Sequence, residues 1–381
     1  MDNISFIVER FFKAQKKEII PYFDVEEIVQ LIDYFIDEED IDNLHEALKL
    51  GYELHPNNLQ ISIASVKTLI LMEKFETALE SIEKIAHKEN KELVLLQLEC
   101  YFGCRRPEDA LLFLDELKAE NCPHFEDAVV YMAGLLNDLE MHRKEALMFI
   151  KKSLTMFPDN FLLRTELCYN IELQGKTKEA LDLCCQLIDE NPFATEVWYM
   201  QGRLYAAEGD YEKAIDSLDF ALTCLDDDEP DFEYELKQMK ALYLYENASY
   251  EKAISVYKDL ESNDFFDSTE VNPYLGECYM KMGDYENAYH ALKKVFGHED
   301  FDGEVSLIRN FLLCCIETGR KDEALDVLTE TLKSYPDNID DYPSIFEIMN
   351  DPFLSSYAKK KKRLTPGDMA RDYLNHKYNY N

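Results

Sequence analysis

Structure breakers are scarce in this chain. Its 381 residues include only 12 glycines and 12 prolines, well below average usage, and most of them fall at turns. Strand-type alternation bounded by glycine and asparagine clusters is hard to find. An all-helical chain is the economical reading of these shortages. Long apolar runs are also missing. No stretch approaches the ~18 residues needed to cross a bilayer, so no membrane span is expected. Basic residues are outnumbered, 40 Lys and Arg against 77 Asp and Glu, for a net charge of -37. Such a chain repels phosphates, which argues against nonspecific binding to nucleic acid or anionic membranes. Solvated acidic helix faces account for the charge.

Catalytic signatures are missing as well. There is no P-loop, G-x-S-x-G, G-x-G-x-x-G or H-E-x-x-H. His142 and His290 have no recognisable nucleophile beside them in sequence, and with 77 acids no single carboxylate pair is informative. Cys100 and Cys104 are four apart on a helical face but lack the second ligand pair of a zinc site. Asp226, Asp227, Asp228 and Glu229 lack the D-x-D-x-D-G spacing of a calcium loop and read as a solvated loop. No metal, no cofactor and no enzymatic activity are expected. The ten cysteines include the neighbouring pairs Cys184-Cys185 and Cys314-Cys315 in helical segments. They read as reduced thiols on packing faces. Charges interrupt the apolar runs of the first twenty residues, so no secretory signal is expected. The expected compartment is cytoplasmic.

What the sequence does have is a period. Residues 195–222 read as two amphipathic helices around a turn at Glu208-Gly209-Asp210. Trp198, Gly202 and Tyr205 share one helical face, and Ala214, Leu218 and Ala221 share another. Small residues at 202 and 214 allow close backbone approach. Ala146, Ala180 and Ala214 are each 34 residues apart, as are Pro158 and Pro192. Upstream, Leu44, Ala78 and Ala110 take the place of the landmark alanine. Downstream the spacing stretches to 39 at Ala253, across the acidic loop, and Ala288 and Ala324 follow.

This pattern resembles the tetratricopeptide repeat (TPR), whose W-x2-L-G-x2-Y…A-x3-F…P signature recurs about every 34 residues. Gln201 stands where the family prefers leucine, and Asp226 where it prefers proline. The unit beginning near 269 matches well, through Leu275, Gly276, Tyr279, Gly283, Tyr285 and Ala288. About nine units cover 25–338, most clearly over 127–228 and 269–338. Residues 1–24 are expected to form an N-terminal capping helix. The segment 339–381 should supply C-terminal capping helices and a mobile basic and polar tail containing the run Lys359–Arg363.

The resemblance implies an all-α, right-handed α-solenoid superhelix. It also implies a non-enzymatic scaffold or adaptor that binds a protein or peptide segment along its concave groove, which the first helices line. Positions fifteen and eleven residues before each landmark alanine face inward. In the central units they hold Tyr131 and Leu135, Thr165 and Tyr169, and Tyr199 and Arg203. Tyr131, Tyr169, Tyr199 and Arg203 are therefore the expected peptide-binding residues, although tyrosines there could instead pack between repeats. Chaperone-tail binding is not expected, because the Lys, Asn and Arg clamp of chaperone-binding members has no counterpart at these sites. The alternative is a regulatory sensor module that takes a signalling peptide or small ligand.

Overall fold

A helix hairpin has one apolar side that its own two helices cannot cover, so hairpins stack. The computed structural model describes residues 3–17, 22–38, 40–85, 90–139, 143–225, 229–262, 268–296 and 304–334, with the single positions 356, 359 and 360. Among the described residues there are nineteen α-helices and no strand. The expected all-α hairpin array is thus what the chain forms. The C-terminal caps, the Lys359–Arg363 run apart from 359 and 360, Asp226–Asp228 and His142 lie outside the described residues.

The chain divides into two compact units, Met1–Lys176 and Thr177–Asn381. Unit one begins with α1 (Asn3–Lys17) and continues in four hairpins: α2 (Val25–Asp37) with α3 (Ile41–Leu54), α4 (Leu59–Leu71) with α5 (Phe75–Lys84), α6 (Lys91–Gly103) with α7 (Pro107–Ala119), and α8 (Phe125–Asp138) with α9 (Arg143–Met156). It ends with α10 (Phe161–Leu173). Within it each first helix packs on its own second helix and on the next first helix, α2 on α4, α4 on α6, α6 on α8 and α8 on α10. Helix α1 lays Ile7 and Phe11 into the first hairpin, where the Phe11 ring lies 5.3 Å from that of Phe35.

Unit two begins with α11 (Thr177–Glu190). Four hairpins follow: α12 (Thr195–Ala207) with α13 (Tyr211–Cys224), α14 (Pro230–Glu246) with α15 (Tyr250–Glu261), α16 (Ser268–Lys281) with α17 (Tyr285–Phe296), and α18 (Val305–Glu317) with α19 (Lys321–Ser334). Helices α11 to α19 each pack on the next in order.

The turns inside the hairpins explain the register. In six of them a residue with positive φ closes the first helix, Glu73, Arg105, Gly209, Ala248, Gly283 and Gly319, and Gly175 closes α10 in the same way. Each precedes its landmark alanine by five residues. At each, the next backbone N–H reaches back five residues to a helical carbonyl, as Asp210 N does to Tyr205 O at 2.9 Å. This is the Schellman closure, which needs a left-handed residue. Starts are fixed by side chains. Asp24 and Glu27 form a capping box on α2, and Asn58, Asn90 and Asn160 cap α4, α6 and α10.

The landmark positions are the helix crossings. Ala78, Ala110, Ala146, Ala180, Ala214, Ala253, Ala288 and Ala324 are fully buried, as is Leu44 in the first hairpin. At the α12–α13 crossing, a Cβ added to Gly202 would lie 3.2 Å from both the Ala214 carbonyl oxygen and the Leu218 side chain. The two backbones can approach this closely only because both residues are small.

Two predictions test this register. Ala214→Phe overpacks the crossing and should cost about 1–3 kcal/mol in thermal or denaturant unfolding. Ala248 holds φ 54°, a conformation glycine adopts without the Cβ clash, so Ala248→Gly should stabilise by about 0.5–1 kcal/mol. Gly209→Ala should do the reverse, and equal melting curves for the two variants would refute the assignment.

Candidate functional site

Alternation within the hairpins puts first helices on one side and second helices on the other. The first-helix side therefore carries side chains free of the hairpin cores, and each unit has a cleft on that side.

In unit one the cleft lies across α2, α4 and α6 and measures about 360 Å³. Val29 and Ile63 line it with Glu26, Asp33, Lys67 and Glu92. Lys67 Nζ is 2.5 Å from a Glu92 carboxylate oxygen. Burial raises the Asp33 carboxyl above its ordinary pKa, and Lys67 opposes that shift. Further along the unit, the half-buried Tyr131 on α8 donates its hydroxyl to Glu99 on α6 at 3.3 Å. Burial, with Glu99 beside it, pushes this phenol up to about 12. Tyr169, also half-buried, is on the neighbouring first helix α10.

A buried amide network ties α8, α9 and α10 together. The Asn137 side-chain amide donates to the Glu166 carboxylate at 2.8 Å and to the Glu166 backbone carbonyl at 3.0 Å. Asn170 donates to Asn137 Oδ1 at 2.7 Å and to the Arg143 carbonyl at 3.1 Å, and accepts from Gln174 at 2.6 Å. Buried amides satisfied in this way fix a unique arrangement. Burial raises the Glu166 carboxyl even though the Asn137 hydrogen bond opposes the shift, and Asp138 adds to it.

In unit two the cleft crosses α14, α16 and α18 and measures about 500 Å³. Tyr245, Glu277, Lys281, Arg309, Asn310 and Leu313 are among its lining residues. The Asn310 amide donates to Glu277 at 3.3 Å, and Arg309 donates to Asn310 Oδ1 at 3.2 Å. Burial raises the Glu277 carboxyl and pushes the Tyr245 phenol up to about 12. Nearer the start of the unit, Arg203 sits 5.5 Å above the Tyr199 ring, a cation–π distance. Tyr199 donates its hydroxyl to Glu235 on α14 at 2.5 Å and meets the Phe232 ring edge-on at 5.6 Å.

Of the four residues expected from sequence, Tyr199 and Arg203 are brought together in unit two. Tyr131 and Tyr169 lie on adjacent first helices of unit one. All four are half-buried. The hydroxyls of Tyr131 and Tyr199 engage carboxylates on neighbouring first helices, a packing function that spacing alone did not assign to them. The two clefts were missed. Yet Ile63 and Lys67 are fifteen and eleven residues before Ala78, Glu277 is eleven before Ala288, and Arg309 and Leu313 are fifteen and eleven before Ala324. Applying the same rule beyond the central units would have found them.

The raised Glu166 carboxyl predicts a pH dependence. Above its folded pKa the buried charge opposes folding. That penalty fades as pH falls through the folded pKa and is gone once the group is also protonated in the unfolded chain, whose reference value is 4.5. Glu166→Gln should therefore melt higher than the parent near neutrality, and the gap should close as pH drops below 4.5. A gap independent of pH would refute the assignment.

A family model described as "Tetratricopeptide repeat" matches residues 174–229, and a second with the same description matches 275–297. A TPR repeat-containing protein of Methanocaldococcus jannaschii is 22% identical over 305 residues, covering 77% of this chain and 49% of its own. The human protein O-mannosyl-transferase TMTC1 is 26% identical over 140 residues, covering 37% of this chain and 15% of its own. The chain thus spans half or less of the length of these curated relatives. Among solved structures, YrrB, titled a TPR protein with an unusual peptide-binding site, is 17% identical with a TM-score of 0.41, covering 55% of this chain and 97% of its own. With stacked hairpins, buried alanines, Schellman turns five residues before them and family matches in two of the repeating segments, the chain carries tetratricopeptide repeats.

Proposed function

We propose that this protein is a non-enzymatic interaction scaffold whose first-helix faces receive a protein or peptide segment. The observation that carries the reading is the pair of clefts, one in each unit, where a few oriented charged and amide groups stand beside apolar walls. Sites that fix a chain segment combine those ingredients. Tyr131 and Tyr169 in unit one, and Tyr199 and Arg203 in unit two, are the proposed contact residues. A half-buried tyrosine offers a ligand a broad apolar surface and has few rotatable bonds to immobilise. Arg203 suits a carboxylate or acidic side chain on the segment. Among the described residues no helix is long and apolar enough to cross a membrane. The ten free thiols, six of them buried, fit a reducing compartment, and we place the protein in the cytoplasm.

Affinity capture with the intact chain, followed by binding measurements on an identified partner, tests the reading. Tyr169→Ala and Tyr199→Ala should each weaken binding by about 1–2 kcal/mol with little change in melting temperature. Tyr199→Phe should retain most of the affinity if the ring is the anchor. Folded alanine variants that bind as tightly as the parent would remove these residues from the site. A fall in melting temperature with unchanged affinity of the folded fraction would assign them to packing alone.

A further inference from the structure

The second-helix side of unit one carries a feature that peptide binding on the first-helix side leaves unused. Helices α7 and α9 are second helices of consecutive hairpins. Each runs antiparallel to α8, so they run parallel to each other, and Lys118 Nζ at the end of α7 is 3.5 Å from Met156 Sδ at the end of α9. Counted from the landmark alanines, the two outer faces are opposites. Two residues before the alanine stand Glu108 on α7 and Lys144 on α9. Five and six residues after it stand Asp115 and Glu116 on α7, and Lys151 and Lys152 on α9.

Between these charges, two residues after the alanine, lie Leu112 and Met148, which are 61% and 73% exposed. That position is polar in the other second helices, for example Glu80, Asp182, Asp216, Ser255 and His290. All six charged residues are exposed, and none of them has an ion-pair partner among the described residues. Several lysines elsewhere are matched with carboxylates, Lys67 with Glu92, Lys91 with Asp127 and Lys240 with Asp219. Second helices of neighbouring hairpins do pair elsewhere, Lys293 of α17 with Glu323 of α19 and Lys294 of α17 with Glu261 of α15, whereas the six charges on α7 and α9 make no such pair among the described residues.

We propose that the α7–α9 face pairs with the same face of a second copy of this chain. A two-fold axis running along the helices, midway between α7 and α9, sets α7 of each copy against α9 of the other in the same direction and register. Glu108 then meets Lys144, Asp115 meets Lys151, Glu116 meets Lys152, and Leu112 meets Met148, each pair occurring twice. A surface that satisfies itself under a two-fold axis is what an isologous dimer requires. Helices of this length are about 20 Å long, so two of them present roughly 400 Å² per copy. That is about half of what a standard stable interface buries, so the dimer is weak and concentration-dependent. It leaves the first-helix clefts open.

Sedimentation equilibrium of the full chain at physiological ionic strength, over a wide range of loading concentrations, tests the proposal. The parent should show a reversible monomer–dimer equilibrium. Reversing the acidic stripe (Glu108→Lys, Asp115→Lys, Glu116→Lys) or the basic one (Lys144→Glu, Lys151→Glu, Lys152→Glu) should weaken dimerisation more than tenfold. Mixing the two reversed variants should restore a dimer containing one of each, because every like-charged contact again becomes an opposite one. Leu112→Ser combined with Met148→Ser should weaken the parent dimer with no loss of melting temperature. A parent that stays monomeric throughout, reversed variants that dimerise as the parent does, or a mixture that stays monomeric would each overturn the proposal.

Discussion

The close approach of first and second helices at each landmark position is the contact on which the rest of this molecule depends. One hairpin exposes an apolar flank that only another hairpin can cover. The crossing sets how deeply the two helices settle and so sets the shape of that flank. With Gly202 opposite Ala214, the Leu218 side chain takes up the space that a Cβ on the first helix would need. The apolar clusters around the later hairpins of unit two run across neighbouring repeats, as Tyr289 and Leu292 do with Ile308 and Phe311. Small residues at the crossings and large ones between hairpins are two halves of one packing solution.

A net charge of -37 would strain such a stack if every acid stayed unmatched. Many polar contacts instead span about one repeat. Lys91 reaches Asp127, Asn160 reaches Glu126, Tyr234 reaches Glu270, and Arg320 makes paired bonds to Glu286. Exposed pairs of this kind contribute little stability individually. Their effect is on register, because each carboxylate finds its donor only when neighbouring hairpins are correctly placed. The buried Asn137–Asn170 pair does the same from inside. Against that background, the unmatched stripes on α7 and α9 stand out as charge with no ion-pair partner among the described residues.

The two sides of the hairpins thus divide the chemistry. First helices carry clefts in which burial has raised carboxyl groups such as Asp33 and Glu277. Those groups are held by amides and cations that a bound segment would also address. Second helices carry solvated acids with apolar and basic positions among them, such as Leu112, Met148 and Lys151 in unit one and Phe220 and Lys293 in unit two. A ligand on one side and a second copy on the other would not compete for surface.

Much of the fold was legible in the sequence, and the reason is local. Turn closure needs a left-handed residue five positions before a small one, and both demands act on single positions, so the five-residue offset survives even where Glu73, Arg105 and Ala248 replace glycine. Burial of every landmark alanine followed from the same spacing. That positions fifteen and eleven residues before those alanines lie on first helices was legible for the same reason. What only the tertiary structure decided is which of those positions open into clefts and what each side chain bonds. Tyr131 and Tyr199 look alike in sequence, but one turns its hydroxyl back to Glu99 and the other forward to Glu235. Cleft volume and carboxyl burial depend on side chains contributed by three first helices at once, from residues up to some seventy positions apart. Helical periodicity places a residue on a face. Only the packing of neighbouring hairpins determines what that face meets.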